Sequence, residues 1–391
     1  VNCGKPDVQF LRLNVRLWPR LMGWSPLPES ASECQSGTAM FHKPGEATLK
    51  EIKTIGLDLA KNVIQVHGVD ARGKSVLVKQ LKRDRVALFF ANLPPCLVGM
   101  EACGSAHYWA RQLEELGHKV KLIAPQFVKP YVKTNKHDAA DAEAVCEAVS
   151  RPNMRFVPIK NAEQQGVLAL HRARQGFVKA RTAQANQIRG LLAEFGIVLP
   201  QGIGHIAKCL PAILEDGENE LPGVFRQLAA RLGAHLKELD RQVSELEEQI
   251  QRWHRENEAS RRLARIPGIG PLTASALVAT IGDAKQFKNA RQLAAWLGLV
   301  PRQHSSGGKP MLLGISKRGD AYLRTLLIHG ARSVIRIAER KAEDAQDWLV
   351  QLIGRRHKNI ATVALANKNA RIVWALLAQG RDYQSDYALA A

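Results

Sequence analysis

Four acidic residues stand where a carboxylate could do chemistry. Asp58 lies inside a short apolar segment, and Glu101 closes another one. Asp138 and Asp141 are three residues apart, which places both on one face of a helix. An ionised carboxylate inside a sheet costs free energy unless it is paired or bound to a metal. Because Mg²⁺ and Mn²⁺ prefer oxygen ligands, these four residues are candidate ligands of such ions.

Each of these residues alone also has a purely structural interpretation. Asp58 could pair with Lys61, and Glu101 could simply end its strand. Asp138 could cap a helix, with Asp141 in the first turn, where negative charge is favoured. Together, four carboxylates in one α/β segment favour a divalent-metal site over these alternatives. Two such ions about 4 Å apart would clamp both oxygens of a phosphodiester displacement.

The elements that must position these carboxylates can be predicted from apolar periodicity. Apolar runs separated by turn residues predict three strands, at residues 53–59, 63–69 and 75–81. A helix, a strand, a helix, a strand and a helix are then predicted at residues 83–93, 96–100, 106–116, 119–124 and 138–149. A meander of strands followed by alternating helices and strands indicates a mixed sheet with helices packed on it. A ribonuclease-H-like domain requires this order.

The middle of the chain is predicted to form two long helices, at about residues 164–195 and 224–262, on either side of a Gly/Pro-rich segment. Apolar residues of the second helix recur at mostly alternating three- and four-residue steps: Leu228, Leu232, Leu239, Val243, Leu246, Ile250 and Trp253. This spacing is typical of a coiled coil that joins protomers. The alternative is a long hairpin packed within one chain. The first helix is rich in basic residues, which either face solvent or lie along nucleic acid.

A glycine-containing turn follows the second helix. Gly268 and Gly270 lie in an apolar-x-Gly-apolar-Gly pattern between two helical segments, which is typical of a helix-hairpin-helix element. Such glycines let backbone N–H groups approach a phosphate, aided by the N-terminus of the next helix. A plain interhelical turn can have the same pattern.

A second candidate site is the Ser-Ser-Gly-Gly sequence at residues 305–308. Between residues 302 and 340 there are eight Lys and Arg residues against one Asp and one Glu. So basic a segment around Ser305 and Ser306 favours a phosphate-binding loop, and the alternative is a flexible surface loop. It is not a Walker P-loop, because the upstream Gly and the following Ser or Thr are missing.

The overall composition supports a nucleic-acid partner. The 391-residue chain is 46% hydrophobic and 24% charged, as in ordinary globular proteins, but its formal net charge is +20. Such an excess of Lys and Arg favours a polyanionic partner. No apolar run approaches the length of a membrane span. The six cysteines show no zinc-binding spacing, and we expect reduced thiols.

Three sequence motifs resemble a known family. Gly56-Leu57-Asp58-Leu59-Ala60-Lys61, Gly99-Met100-Glu101-Ala102-Cys103-Gly104 and Lys136-His137-Asp138-Ala139-Ala140-Asp141-Ala142 are similar to the catalytic motifs of DEDD-type insertion-sequence transposases. These form the IS one-ten/eleven-eleven group, whose members act as bridge-RNA-guided recombinases. The turn at residues 266–274 and the segments at 298–309 and 314–324 resemble the second transposase domain of that family. The similarity covers about residues 52–380.

The resemblance implies a role for individual residues. It assigns an acidic tetrad to Asp58, Glu101, Asp138 and Asp141, holding Mg²⁺ or Mn²⁺, with two ions expected per site. It assigns the nucleophile to the Ser-Gly-Gly loop, where we favour Ser306, with Ser305 as the fallback. The basic residues expected to contact nucleic acid or the reacting phosphate are Arg302, Lys309, Lys317, Arg318 and Arg324.

The resemblance also implies an architecture and partners. We expect a disordered N-terminal extension (1–50), a RuvC-like domain of ribonuclease-H fold (51–155), a coiled-coil region (160–262), a helical serine-bearing domain (263–380) and a tail (381–391). The implied partners are donor and target double-stranded DNA, a structured noncoding guide RNA and further copies of the chain, as a dimer or a synaptic tetramer. A bacterial cytoplasmic, nucleoid-associated location follows from that role.

Two other functions remain open from the sequence. A RuvC-like structure-specific nuclease would hydrolyse DNA with metal-activated water and would need no serine. A non-enzymatic DNA- or RNA-binding protein would use only the glycine turn and the basic helices, and the four carboxylates argue against it.

Overall fold

The computed structural model describes residues 51–133, 137–340 and 348–384. The predicted N-terminal extension lies outside these residues, as does most of the predicted tail. No helix in the described ranges is long and apolar enough to cross a membrane.

A six-stranded mixed sheet forms the first part of the described chain. Its strands are β1 (Thr54–Leu59), β2 (Val63–Val69), β3 (Ser75–Lys82), β4 (Leu97–Glu101), β5 (Lys119–Ile123) and β6 (Phe156–Val157). Their order across the sheet is β3-β2-β1-β4-β5-β6. The first three strands pair antiparallel, β4 and β5 run parallel to β1, and β6 is antiparallel to β5. The mixed sheet is confirmed, and sequence reasoning missed β6 because two residues show no alternation.

The sheet carries short helices, of which the last positions the acidic residues. They are α1 (Val86–Ala91), α2 (Ala106–Glu115), α3 (Pro125–Val128) and α4 (Asp138–Val149). The α4 helix packs on β1, β2 and β4 through a buried face of Ala, Val and Cys side chains. Small side chains on that face let the helix lie close to the sheet. The bounds predicted for α4 are confirmed, whereas α1 is shorter than predicted because residues 83–85 form a 3₁₀ turn.

Two long helices pack against each other in opposite directions. They are α5 (Ala162–Ala193) and α7 (Gly223–Glu256). Near the start of α5, Glu163 accepts a hydrogen bond from Trp253 Nε1 near the end of α7, at 2.7 Å. Further along, Arg181 Nη1 donates to Asp240 Oδ1 at 2.8 Å. These pairings run in opposite senses along the two helices, so α5 and α7 form an antiparallel hairpin.

This hairpin covers part of the stripe that was predicted to form a coiled-coil seam between protomers. Leu239, Val243 and Ile250 are buried within one chain, on the helix that packs most extensively against α5. The intrachain alternative is therefore the one the structure adopts for these positions. Heptad spacing predicts that an apolar stripe is buried, but it does not specify whether the covering helix belongs to the same chain.

The helical region differs from prediction at two further points. The second long helix ends at Glu256, because Asn257 has an extended backbone and caps the separate helix α8 (Glu258–Leu263) through Ser260 N–H. The Gly/Pro-rich segment contains α6 (Ile203–Glu215), which buries Ile206 and Leu210 against the hairpin. Pro211 inside α6 obscured its helical periodicity.

The C-terminal part is helical, with one small β-hairpin. Its elements are α9 (Pro271–Ile281), α10 (Ala290–Trp296), β7 (Pro301–Gln303), β8 (Leu312–Ile315), α11 (Ala321–Ala338), α12 (Trp348–Arg355) and α13 (Lys358–Gln379). The helices share one hydrophobic core, to which α8 also contributes Leu263. The helix α10 starts at Ala290, because Asn289 caps it by accepting a hydrogen bond from Gln292 N–H.

A buried histidine joins the helical hairpin to the C-terminal core. His171 of α5 is 1% exposed and lies between Ser275 of α9 and Tyr322 of α11, with both hydroxyls 3.0 Å from its ring nitrogens. Ser275 donates its proton to the carbonyl oxygen of Pro271 at 2.7 Å, so Nε2 of His171 donates to Ser275. Nδ1 then accepts from Tyr322. The contact therefore requires a neutral imidazole.

We expect this contact to make the folded state acid-sensitive. Burial, followed by the charge of Arg174, lowers the pKa of His171 to about 4. The unfolded chain, with an ordinary histidine pKa of about 6.5, binds the proton more readily than the folded chain between these two values. The contribution of neutral His171 to the free energy of unfolding is therefore fully present above pH ~6.5. It decreases by about 3 kcal/mol as the pH falls to ~4.

Denaturant unfolding from pH 7 to pH 4 measures this effect. His171→Gln should be less stable at pH 7 and lose less stability on acidification than the unmodified chain. Because burial also lowers the pKa of His107 to about 4, part of the acid sensitivity remains in that variant. An unchanged pH dependence in His171→Gln would contradict the assignment.

Candidate functional site

The acidic residues of the sheet come from two neighbouring parallel strands. β1 and β4 pair in register, with Thr54 beside Leu97 and Leu57 beside Met100. The next residues along this pairing are Asp58 and Glu101, so the two carboxylates emerge side by side at the same edge. Parallel strands place their carboxyl ends at one edge of a sheet, which explains why distant motifs meet there.

Two glycines let α4 approach that edge. A Cβ atom at Gly56 would lie 2.1 Å from the carbonyl oxygen of Ala142, and one at Gly99 would lie 2.8 Å from Cβ of Val149. Both contacts are with α4. Asp58 and Glu101 follow these glycines by two residues, so their side chains lie on the same face of the sheet as α4. Both glycines lie in the motifs given above, and the Gly-x-acid spacing that they share is the sequence signal for this role, which periodicity alone did not reveal.

The remaining acidic residues lie in the first turn of α4. His137 is the N-cap and accepts a hydrogen bond from Ala139 N–H, so Asp138 is the first helical residue rather than the cap. Asp141 follows on the same face. Negative charge in this turn is stabilised by the helix dipole, which offsets part of the repulsion between the carboxylates.

The structure brings three carboxylates together and places the fourth beside them. One oxygen from each of Asp58, Asp138 and Asp141 lies within 4.8 Å of the other two. Glu101 is outside this group, but burial and then the charges of Asp58 and Asp141 raise its pKa. Burial, with the charges of Glu101 and Asp58, also raises the pKa of the nearby Cys103 thiol. The edge therefore concentrates negative charge.

The donor set fits a hard divalent cation. Every ligand offered is a carboxylate oxygen, which suits Mg²⁺ or Mn²⁺ and does not suit metals that prefer sulfur or imidazole. Asp58, Asp141 and Glu101 are partly exposed and Asp138 is exposed, which leaves the site open to a large substrate. A bound cation would also relieve the mutual repulsion that raises the pKa of Glu101.

Close packing at Gly56 leads to a prediction. Gly56→Ala should destabilise the protein by about 1–3 kcal/mol, since the methyl group must displace the backbone of α4. It should also move Asp138 and Asp141 away from Asp58. Thermal unfolding and divalent-metal binding measure the two effects.

Gly166→Ala is the matched control for that variant. Gly166 lies on the exposed face of α5 with open space around it. Alanine there should raise stability by about 0.5–1 kcal/mol through helix propensity alone. If Gly56→Ala were as stable as its control and bound metal equally well, close packing of α4 would not be what assembles the site.

The candidate serines lie in a tight β-hairpin rather than a loose loop. β7 and β8 pair antiparallel, and Ser306 bridges Lys309 across the turn, with Lys309 N–H donating to the carbonyl oxygen of Ser306 at 3.1 Å. Gly307 and Gly308 have φ angles of 55° and 74°, the left-handed conformation that a two-residue hairpin turn of type I′ requires. Both serines are exposed, and the Ser305 hydroxyl accepts a hydrogen bond from Gln303. Ser306 is thus presented at the tip.

The base of this hairpin is held by backbone contacts. A Cβ atom at Gly298 would lie 2.1 Å from the carbonyl oxygen of Arg318, and one at Gly319 would lie 1.9 Å from that of Trp296. Arg324 Nη1 donates to the carbonyl oxygens of Leu297 and Arg318. Arg324 therefore has a structural partner at the base. Arg302, Lys309, Lys317 and Arg318, the other basic residues predicted here, are exposed.

The glycine turn before α9 has a packing role. Gly268 has φ of 87°, and its backbone lies against Gly330 of α11, where a Cβ atom would meet the Gly268 carbonyl oxygen at 1.8 Å. Gly270 is exposed at the N-cap of α9 with open space around it. Helix packing therefore explains why a glycine is needed at position 268, whereas Gly270 makes no close packing contact.

Clustered carboxylates at an open sheet edge are typical of enzymes that use divalent metals to break phosphodiester bonds. Comparison with known proteins specifies the class further. Residues 55–197 match the IS110-type DEDD transposase domain, and residues 260–346 match the Transposase IS116/IS110/IS902 family. All four acidic residues lie in the first match, and the serine hairpin lies in the second.

Individual relatives extend the match over most of the chain. A Pseudomonas aeruginosa protein named "Probable family 20 transposase" is 55% identical over 334 residues, which is 85% of this chain and 99% of that protein. The transposase for insertion sequence element IS1111A of Coxiella burnetii is 45% identical, over 92% of this chain and 98% of that protein. The transposase for IS1328 of Yersinia enterocolitica is 44% identical, over 85% and 98%. The chain therefore belongs to the IS116/IS110/IS902 family of insertion-sequence transposases.

Proposed function

We propose that this transposase cuts and exchanges DNA strands with divalent metal ions at Asp58, Asp138 and Asp141, and with Ser306 as nucleophile. The observation that carries the proposal is the convergence of three carboxylates within 4.8 Å at the edge of the sheet. Glu101 completes the acidic site as a direct or water-mediated ligand. The N-terminal α/β part then acts as a RuvC-like catalytic domain of ribonuclease-H fold.

The acidic residues hold the metal and orient the substrate. When bound, Mg²⁺ or Mn²⁺ supplies Lewis-acid stabilisation of the charge that develops on the phosphate oxygens. Asp58 and Glu101 come from rigid strands and Asp138 and Asp141 from a capped helix, so their geometry is set before substrate arrives. Preorganised charge of this kind needs little rearrangement during the reaction.

Ser306 carries the covalent step. Its Oγ attacks the scissile phosphorus, and its proton passes to a carboxylate or to water. The bond to the 3′-oxygen breaks, and that oxygen takes a proton from water, which leaves a 3′-hydroxyl and a phosphoserine link to the 5′ end. Attack by a 3′-hydroxyl on that link reverses the step and joins new strands without ATP. The exposed Arg302, Lys309, Lys317 and Arg318 around the hairpin would stabilise the charge on the phosphate.

The family resemblance also supports a guide RNA and an oligomer. A structured noncoding RNA encoded by the element would pair with donor and target DNA, and the net charge of +20 suits two kinds of nucleic acid. The proposed assembly is a dimer that forms a tetramer on DNA. Because Leu239, Val243 and Ile250 are buried within one chain, we expect the contacts between protomers to use the exposed part of the stripe, which includes Leu228, or other surfaces.

The competing function is a structure-specific nuclease that hydrolyses DNA with activated water. A two-plasmid assay separates the two functions, using purified protein, a donor carrying the element ends, a target, and the transcribed flanking RNA. The proposal predicts joined donor–target products that require the RNA and vanish with EDTA. Cut but never joined DNA would favour the nuclease, and RNA-independent joining would remove the guide from the proposal.

A further inference from the structure

Four basic residues cluster between the sheet, the helical hairpin and the C-terminal helices. His107 and Arg111 lie on α2, Lys160 precedes α5, and Arg172 lies on α5. We propose that this cluster, the junction cluster, binds a phosphodiester of a nucleic-acid backbone. The inference rests on the proposed function and adds to it a docking point that the acidic site and the serine hairpin do not provide.

Two of these residues present hydrogen-bond donors to each other. Nδ1 of His107 accepts from the backbone N–H of Lys160 at 3.2 Å, so Nε2 carries the proton of the neutral ring. This Nε2 lies 3.3 Å from Nζ of Lys160, whose ammonium group can only donate. An anionic oxygen beside both groups would accept from each and would remove the conflict between them.

The other two residues add charge and hold the site in shape. Arg111 Nη1 donates at 2.6 Å both to the carbonyl oxygen of Lys160 and to Gln165 Oε1, which fixes the segment that carries Lys160. Arg172 is exposed and makes no hydrogen bond or ion pair with the described residues. Burial, followed by the charges of Lys160, Arg111 and Arg172, lowers the pKa of His107, consistent with mutual repulsion that an anion would relieve.

Arg172 differs in this respect from three other arginines of the same helix. Arg174 pairs with Glu247 and Arg181 with Asp240, both on α7. Arg189 donates to backbone carbonyl oxygens beside the start of α6. These three residues stabilise the hairpin, whereas Arg172 remains available to a polyanion.

The position of the junction cluster suits a nucleic-acid path between the two proposed catalytic elements. α2 begins just after Glu101, at the edge where the acidic residues gather. Lys160 also lies close enough to Asp320, the N-cap of α11, to feel its charge. Burial and the charge of Arg172 lower the pKa of Lys160, and the charge of Asp320 opposes this shift. Asp320 is engaged by the N–H groups of Tyr322 and Leu323. A backbone held here would run from the acidic edge toward the helix that follows the serine hairpin.

Salt-dependent binding of the full-length protein tests this inference. The probes are a fluorescent 40-base-pair DNA duplex of unrelated sequence and an RNA duplex of the same sequence, titrated by anisotropy in EDTA. Lys160→Ala combined with Arg172→Ala should weaken binding at least about tenfold, and should reduce the slope of log K against log salt by about one for each phosphate that is no longer neutralised. Arg231→Ala combined with Lys237→Ala, which removes two exposed basic side chains of α7, is the charge-matched control and should leave both unchanged.

Each outcome bears on the site. Weaker binding of only one probe identifies DNA or RNA as the source of the phosphate. If the double variant melts early, Arg172→Ala alone serves, since this exposed side chain has no partner among the described residues. An unchanged slope, or equally weak binding by the variant with Arg231→Ala and Lys237→Ala, would overturn the inference. Binding in EDTA involves no strand cleavage or joining. If the unmodified protein joined no strands, the proposed function would be refuted, whereas the binding role of the junction cluster would still stand.

Discussion

Asp58→Asn is expected to reduce DNA strand cleavage at least about a thousandfold, because a misplaced or missing metal removes about 4 kcal/mol or more of transition-state stabilisation. The variant should fold normally, since asparagine has the same shape and removes one of the charges that raise the pKa of Glu101. Asp138→Asn and Asp141→Asn should behave alike. Cleavage of labelled element-end DNA in Mg²⁺ measures the rate.

Asp84→Asn provides the matched control for this series. Asp84 lies in the 3₁₀ turn after β3, with an exposed side chain paired to Arg85. Its replacement should leave the cleavage rate within about twofold, since surface ion pairs contribute little. Cleavage by Asp58→Asn at the rate of this control would show that the carboxylate cluster has no role in the chemistry.

Ser306→Ala is expected to abolish the covalent protein–DNA adduct and to reduce strand joining by more than about a thousandfold. The hairpin should survive the change, because Ser306 contributes its backbone carbonyl oxygen to the turn and its side chain is exposed. Denaturing gels of protein incubated with labelled element-end DNA separate the adduct from free DNA.

Ser305→Ala is the control built into the sequence. The Ser305 hydroxyl is engaged by Gln303, so its removal should leave adduct formation largely intact. If the adduct disappears with Ser305→Ala instead, Ser305 rather than Ser306 is the nucleophile. An adduct that persists in the double variant would end the serine mechanism and favour water as nucleophile.

Much of the acidic site could be predicted from the sequence. The strands that carry Asp58 and Glu101 are apolar runs bounded by turn residues, and their parallel pairing brings distant motifs to one edge. The helix that carries Asp138 and Asp141 has the predicted bounds. The Gly-x-acid spacing shared by Gly56 and Gly99 marks these two positions, but only the fold shows that α4 occupies the space above them.

Contacts between segments that are distant in the sequence could not be predicted from hydrophobic periodicity. The apolar stripe through Leu239 and Val243 marks a buried face, but only the fold shows that α5 of the same chain covers it. The junction cluster draws His107 and Lys160 from segments about fifty residues apart, so no local motif marks it. Likewise, Ser-Ser-Gly-Gly suggests a flexible loop until the strands that enclose the turn are known.

The central claim, that the carboxylates at this sheet edge bind the metal ions used in catalysis, is tested most directly by anomalous diffraction from crystals soaked in Mn²⁺. We predict at least one anomalous peak about 2.1 Å from carboxylate oxygens of Asp58 and of Asp138 or Asp141. The peak should be absent from Asp58→Asn crystals. A protein that cleaves DNA in Mn²⁺ but shows its anomalous peaks away from these carboxylates would contradict the claim.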